Sequence, residues 1–327
     1  MNSFGLNVAA LVVTYNRKAL LAECLAAIFD QDFAPSTIFI VDNASTDGTE
    51  ELFSDGGKLA DIRGLRYIRM NENLGGAGGF KKGIEYCLNE GCDWIWLMDD
   101  DCIAHTDTLS ELVKALSVVK RLGNDPSFLA SIVVGADGEP MNVPNLDLKP
   151  SDNGYPDWYL GLANGIVKIE SATFVSLLIN VRAVEKVGLP IANFFIWGDD
   201  TEYTTRLTHY YGPAFLIGRS SVLHKRVNAK SLNIKNETDP DRVANYHRLY
   251  RNNLIVKRFH YGKGSSFKQT LHYFSDAIKC LCTGNGGFSA RLARSRAILH
   301  GTFEFLGGKY ELEDLGRFVK CNDGWKS

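Results

Sequence analysis

Apolar residues run without interruption from Val8 through Val13 to Thr14, a length and composition that predict a strand buried on both faces. The period then changes. Leu20, Leu21, Cys24, Leu25 and Ile28 recur at spacings of mostly three and four, which predicts an amphipathic helix over 18–29. Strand-like runs return at 38–41, 65–69 and 94–98, with a second helix expected over 78–88. Short apolar strands alternating with helices describe an α/β chain, a mostly parallel twisted sheet flanked by helices. In such sheets ligands bind outside the carboxyl ends of the strands. Thr14-Tyr15-Asn16-Arg17, Asp42-Asn43-Ala44-Ser45, residues 71–79 and Asp99-Asp100-Asp101 all follow strands directly, so they should converge on one crevice.

The later chain reads differently. Residues 137–157 are rich in Pro, Gly, Asn and Asp and predict a long loop near the mouth of that crevice. A polar stretch over 227–241 is expected to be a flexible link to three helices, over 242–261, 266–281 and 290–306. The expected organisation is a sheet domain over 1–230 and a helical region over 231–327. The 327 residues, 45% apolar, suffice for one large core and a smaller appended one.

Charge divides the same way. Between Arg219 and His300 there are sixteen Lys and Arg against four acids, a net of +12, which leaves −14 for the rest of a chain of net charge −2. A basic C-terminal part is expected to face anions: a nucleotide diphosphate, a lipid-linked pyrophosphate or an acidic membrane surface. Nucleic acid is the disfavoured anion, because no recognised nucleic-acid motif accompanies the basic residues. No apolar run is long enough to span a bilayer, and the first residues lack a signal peptide's basic start and apolar core. A cytoplasmic location is expected, with peripheral contact to the inner face of the membrane as an option. The seven cysteines show no paired zinc spacing and are expected to be reduced thiols.

The chemistry concentrates at Trp94-Ile95-Trp96-Leu97-Met98-Asp99-Asp100-Asp101, where an apolar run ends in three carboxylates. Adjacent like charges repel and lose hydration when enclosed, so a divalent cation with a diphosphate is the expected neutralising partner. Strand alternation puts Asp99 and Asp101 on one side and Asp100 on the other. The same acids would also suit a helix start. Asp42 ends a strand and could accept from a nucleobase imide or a ribose hydroxyl. Asn73-Leu74-Gly75-Gly76-Ala77-Gly78-Gly79-Phe80 is glycine-rich between strand and helix, which lets a ligand approach backbone amides.

Taken with Val12-Val13-Thr14-Tyr15-Asn16-Arg17, Val41 to Thr49 and Phe195-Ile196-Trp197-Gly198-Asp199-Asp200-Thr201-Glu202, these segments resemble the inverting glycosyltransferases of family two, which have the GT-A (Rossmann-like) fold. The glycine-rich segment, the acid triplet and the Trp-x-Asp-Asp-x-Glu pattern together resemble bacterial galactofuranosyltransferases, with rhamnosyltransferases close behind. The resemblance implies transfer of galactofuranose from UDP-galactofuranose to a glycan or polyprenyl-diphosphate-linked glycan in cell-surface polysaccharide synthesis. It implies Mn²⁺ or Mg²⁺ held by Asp99, Asp101 and His224. Thr14, Asn16, Arg17, Asp42, Asn73, Gly75, Gly76, Asp99, Asp100 and Arg251 are the implied donor contacts. Asp200 is the implied base, with Trp197, Asp199 and Glu202 at the acceptor, although Gly198 lengthens the motif and could exchange the two aspartates. A dTDP-rhamnose donor, a nucleotidyltransferase and a non-catalytic nucleotide- or carbohydrate-binding module are the alternatives.

Overall fold

The computed structural model describes residues 5–226 and 232–308; the expected boundary at 230/231 and the end of the region 231–327 lie outside the described residues. Strand β1 (Val8–Thr14) pairs in parallel with β2 (Thr37–Asp42) on one side and β4 (Trp94–Asp99) on the other, and β3 (Leu65–Arg69) extends the sheet in parallel beyond β2. An antiparallel β9 (Leu177–Asn180) then separates β4 from β6 (Phe128–Val134). Beside β6 the long β10 (Ala214–His224) returns to the parallel direction, and β8 (Ile166–Ser171) and β7 (Asn145–Leu146) close that edge. The short β5 (Cys102–Ala104) pairs with the end of β10, setting Cys102 opposite His224.

Both faces of this sheet are covered, which is why its strands read as unbroken apolar runs. Along β1, Val8, Ala10 and Val12 enter one core with α1 (Lys18–Phe29) and α3 (Thr108–Arg121). Ala9, Leu11 and Val13 enter a second core on the other face with α2 (Gly75–Asn89), α4 (Val181–Val187) and α5 (Asp199–Tyr210). Among the described residues all six cysteines are free thiols, five of them buried.

Two expectations need correction. Helix α2 starts at Gly75 rather than 78, so most of the glycine-rich segment is helix and not a ligand-cradling loop. Packing explains this. Gly75 has φ +71°, and a Cβ there would lie 2.1 Å from the carbonyl oxygen of Phe195, while one at Gly79 would strike Val13. The polar stretch before the C-terminal helices is also not a free link. Within it Ile234 is buried in a cluster with Tyr246, Tyr250 and Leu254, so the described part folds back onto the helices it precedes.

Those helices are α6 (Pro240–Thr283), broken at Gly262 (φ 87°, ψ 174°), and α7 (Phe288–Leu306). The break recovers the two helices expected from the sequence in this span. A separate apolar cluster, Ala77, Ile191, Phe194, Ile255 and Val256, joins α6 to α2 and to the segment before α5. No described helix is long and apolar enough to cross a membrane.

Candidate active site

The carboxyl ends of β1, β4 and β10 meet at the acid triplet. Asp101 accepts from His224 Nε2 at 2.9 Å and from Arg17 Nη1 at 2.7 Å. His224 reaches it because the β5–β10 pairing sets the histidine opposite Cys102, one residue past the aspartate. Asp100 shares that Arg17 nitrogen at 3.0 Å and also accepts from Thr14 Oγ1 at 2.7 Å. Asp99, Asp101 and His224 bring ligand atoms within 4.8 Å of one another. Burial, and then repulsion from Asp101 and Asp100, push the Asp99 carboxyl well above its usual range. Burial would also raise Asp101, but its bonds to His224 and the Arg17 charge outweigh that and lower it. Arg17 is opposed by burial, yet Asp100 and Asp101 hold its charge.

Asp199 and Asp200, in the first turn of α5, line the same cavity of about 340 Å³ as Asp99, Asp101 and His224. Burial pushes both aspartates up, and for Asp199 the neighbouring Asp200 charge adds to it. Asp200 Oδ1 accepts from the Thr201 amide at 2.6 Å. The approach to α5 is strained: Phe195 and Trp197 have φ of 63° and 64°, and Gly198 has 90°. One side chain holds it. Asn252 Nδ2 lies 3.1 Å from the carbonyl of Phe194, 3.3 Å from that of Ile196 and 2.8 Å from that of Trp197. The Gly75 approach to Phe195 braces the same run from the other side.

The cavity does not collect every residue expected there. Arg17, Gly76, Asp99, Asp101, Trp197, Asp199, Asp200 and His224 line it. Thr14 and Asp100 lie beneath, bonded to each other. Asn16 and Asp42 knit loops: Asn16 Oδ1 accepts from the Thr46 amide, and buried Asp42 accepts from the Ser45 amide and the Tyr67 hydroxyl. Asn73 Oδ1 accepts from the Gly75 amide, which shapes the start of α2.

Glu202 and Arg251 are corrections. Glu202, 0% exposed, is enclosed by Arg206 at 2.7 Å and His260 at 3.1 Å on the far side of its helix turn, so it cannot hold an acceptor hydroxyl. Arg251 donates to the Asn193 carbonyl and the Asn252 side chain instead of reaching the cavity.

Among the cavity residues that the sequence reading did not single out are Arg226 after β10, Arg242 in α6, whose guanidinium lies 5.7 Å from the Trp197 ring centre, and Asn142, bonded to His224 Nδ1 at 2.9 Å. The +12 excess between Arg219 and His300 was the sequence signal of the two arginines, and the loop expected over 137–157 was that of Asn142.

The pattern named Glycosyl transferase family 2 matches residues 9–137. Galactofuranosyltransferase GlfT1 of Mycolicibacterium smegmatis is 31% identical over 231 residues, which cover 66% of this chain and 70% of that protein. The chain belongs to glycosyl transferase family 2 and is a glycosyltransferase. Its match to GlfT1 of Mycobacterium tuberculosis is 29% identical over 62% of the chain and 64% of that protein. Solved structures agree on the fold. GalNAc-T7 with UDP, GalNAc and Mn²⁺ superposes with a TM-score of 0.60 at 14% identity, covering 92% of this chain and 56% of that one. Staphylococcus aureus TarS in complex with UDP-GlcNAc gives 0.52 at 13% identity, covering 96% and 79%.

The glycosyltransferase's own residues fit a divalent cation. Two carboxylates and an imidazole suit Mn²⁺, and Asp99, raised by burial and then by its acidic neighbours, is a carboxyl that a cation would relieve. Asn142 on the second nitrogen of His224 supplies the outer support that metal-binding imidazoles usually have.

Proposed function

We propose that this chain is a metal-dependent inverting transferase that moves galactofuranose from UDP-galactofuranose onto a hydroxyl of a glycan or polyprenyl-diphosphate-linked glycan. The observation that carries the reading is that the cluster of Asp99, Asp101 and His224 and the pair Asp199 and Asp200 line one cavity. The likeness to GlfT1 supports the donor.

Asp99, Asp101 and His224 would hold Mn²⁺ or Mg²⁺, which when bound supplies Lewis-acid stabilisation of the departing diphosphate. Arg17, Arg226 and Arg242 add positive charge to the same cavity. Gly76, with open space where a Cβ would stand, leaves room for the donor beside them. Asp200 takes the acceptor hydroxyl proton as the new bond to the anomeric carbon forms and the bond to the diphosphate oxygen breaks. Asp199 orients the acceptor, and Trp197 offers it a ring face.

The test is nucleoside diphosphate release by the full chain, with Mn²⁺ or Mg²⁺ and a panel of nucleotide sugars. UDP-galactofuranose should be the donor consumed, and chelation should stop the reaction. Turnover of dTDP-rhamnose with none of UDP-galactofuranose would sink the donor assignment.

A lipid-linked acceptor agrees with the far half of α6. There Phe267, Leu271 and Ile278 are exposed at helical spacing, close in sequence to Lys263, Lys268 and Lys279. Such a face should bind anionic membranes, each nearby basic residue adding about 1 kcal/mol. Sedimentation at low salt should show more protein with anionic than with neutral liposomes; equal binding would rule out the electrostatic contact.

A further inference from the structure

Helices α6 and α7 approach closely at Gly301, where a Cβ would fall 2.0 Å from the His247 carbonyl oxygen and 3.0 Å from the Arg251 amide. Only glycine permits that approach. It brings His247 of α6 beside His300 and Glu304 of α7, which are one helical turn apart. The imidazole centres lie 4.8 Å apart, with 27° between planes. His247 Nε2 is 4.0 Å from Glu304 Oε2, and His300 Nε2 is 3.9 Å from Glu304 Oε1.

Two details point to a ligand. His247 Nδ1 lies 2.7 Å from the Ala244 carbonyl, which can only accept, so Nδ1 carries the proton and Nε2 presents its lone pair towards Glu304. Glu304 Oε2 is buried with no hydrogen-bond partner, a costly state for a carboxylate oxygen. The nearby Arg251 is already used by the Asn193 carbonyl and Asn252, so it does not account for that oxygen.

We propose that His247, His300 and Glu304 form a second metal site, for Zn²⁺ or a similar transition-metal ion, that clips α7 to α6. Two imidazoles and one carboxylate are a zinc donor set, leaving a fourth position for water. Bonds of roughly 2.0–2.1 Å at tetrahedral angles place donor atoms about 3.4 Å apart. The present 3.9 and 4.0 Å close to that by small rotations of the Glu304 carboxylate and of His300, whose side chain is 62% exposed and gives the ion an entry path. The Ala244 bond fixes the His247 ring as an outer-shell partner does. Softer donors than the cavity cluster make this site selective for Zn²⁺ over Mg²⁺.

Chelator-stripped full-length protein, dialysed against micromolar Zn²⁺, should retain one ion per chain that survives Asp101→Asn and is lost in both His300→Ala and Glu304→Gln. Each loss should weaken binding by more than the roughly 10–100-fold that an outer-shell substitution costs. Because His300 is exposed, His300→Ala should fold as the parent does, and Zn²⁺ should raise the melting temperature of the parent but not of that variant. Equal zinc content in parent and both variants, or no retained zinc in the parent, overturns the site.

Discussion

Asp200→Asn is expected to leave UDP affinity within a few-fold of the parent and to cut kcat by at least the 10²–10⁴-fold typical of removing a general base. The amide keeps the shape of the side chain, and Oδ1 can still accept from the Thr201 amide, so α5 should start as before. What is lost is a basic oxygen in the cavity that Asp99 and Asp101 also line. Asp199→Asn should cost less, chiefly in acceptor KM. Both carboxyls sit above their usual range through burial, and they titrate as a pair. Since the base acts only when ionised, kcat/KM should climb with pH over a limb displaced above that of an exposed aspartate, and Asp200→Asn should abolish that limb. Transfer rates at saturating donor decide the assignment: a dead Asp199→Asn with an active Asp200→Asn would exchange the two roles.

Much of this arrangement was legible in the chain because it is local. A strand buried on both faces must read as an apolar run, and β1 does; a loop that follows such a strand must lie at the carboxyl edge, which put Arg17 and the acid triplet together. The alternation expected of Asp99 and Asp101 against Asp100 does not come from a pleat: β4 ends at Asp99, and Asp100 and Asp101 stand in the turn beyond it, sharing Arg17 while Asp100 also meets Thr14 and Asp101 meets His224.

What stayed hidden depends on tertiary contact. Glu202 stood in an acidic helix start, but Arg206 lies one turn on and His260 arrives from α6, and together they enclose it. The glycines of α2 looked like a ligand cradle, whereas Gly75 and Gly79 are set by Phe195 and Val13, distant in sequence. Asn252 follows Arg251, the residue expected at the donor, but its own role was hidden, since three carbonyls on one amide become visible only when α6 is packed against the strained turn.

The acid cluster should separate binding from stability more sharply than any other position. Asp99→Asn and Asp101→Asn are both expected to abolish the metal dependence of UDP binding, bringing affinity in Mn²⁺ down to its value in chelator. Their effects on the metal-free fold should be opposite. A carboxyl raised in the folded state binds its proton more tightly there than in the unfolded chain, so it loses stability as pH rises from the ordinary carboxylate range through its folded value. Removing Asp99 should therefore leave the melting temperature in chelator at neutral pH unchanged or higher. Asp101 is lowered in the fold by His224 and Arg17, so its contribution is present above the ordinary carboxylate range and is lost as pH falls through its folded value. At neutral pH Asp101→Asn removes that contribution and weakens the contacts to His224 and Arg17, so its melting temperature should drop. Titration calorimetry with UDP, with and without Mn²⁺, measures the first effect, and thermal unfolding in chelator measures the second. Unchanged metal-dependent UDP affinity in both variants would refute the ligand set, and a lower melting temperature for Asp99→Asn than for Asp101→Asn would refute the electrostatic ordering within the triplet.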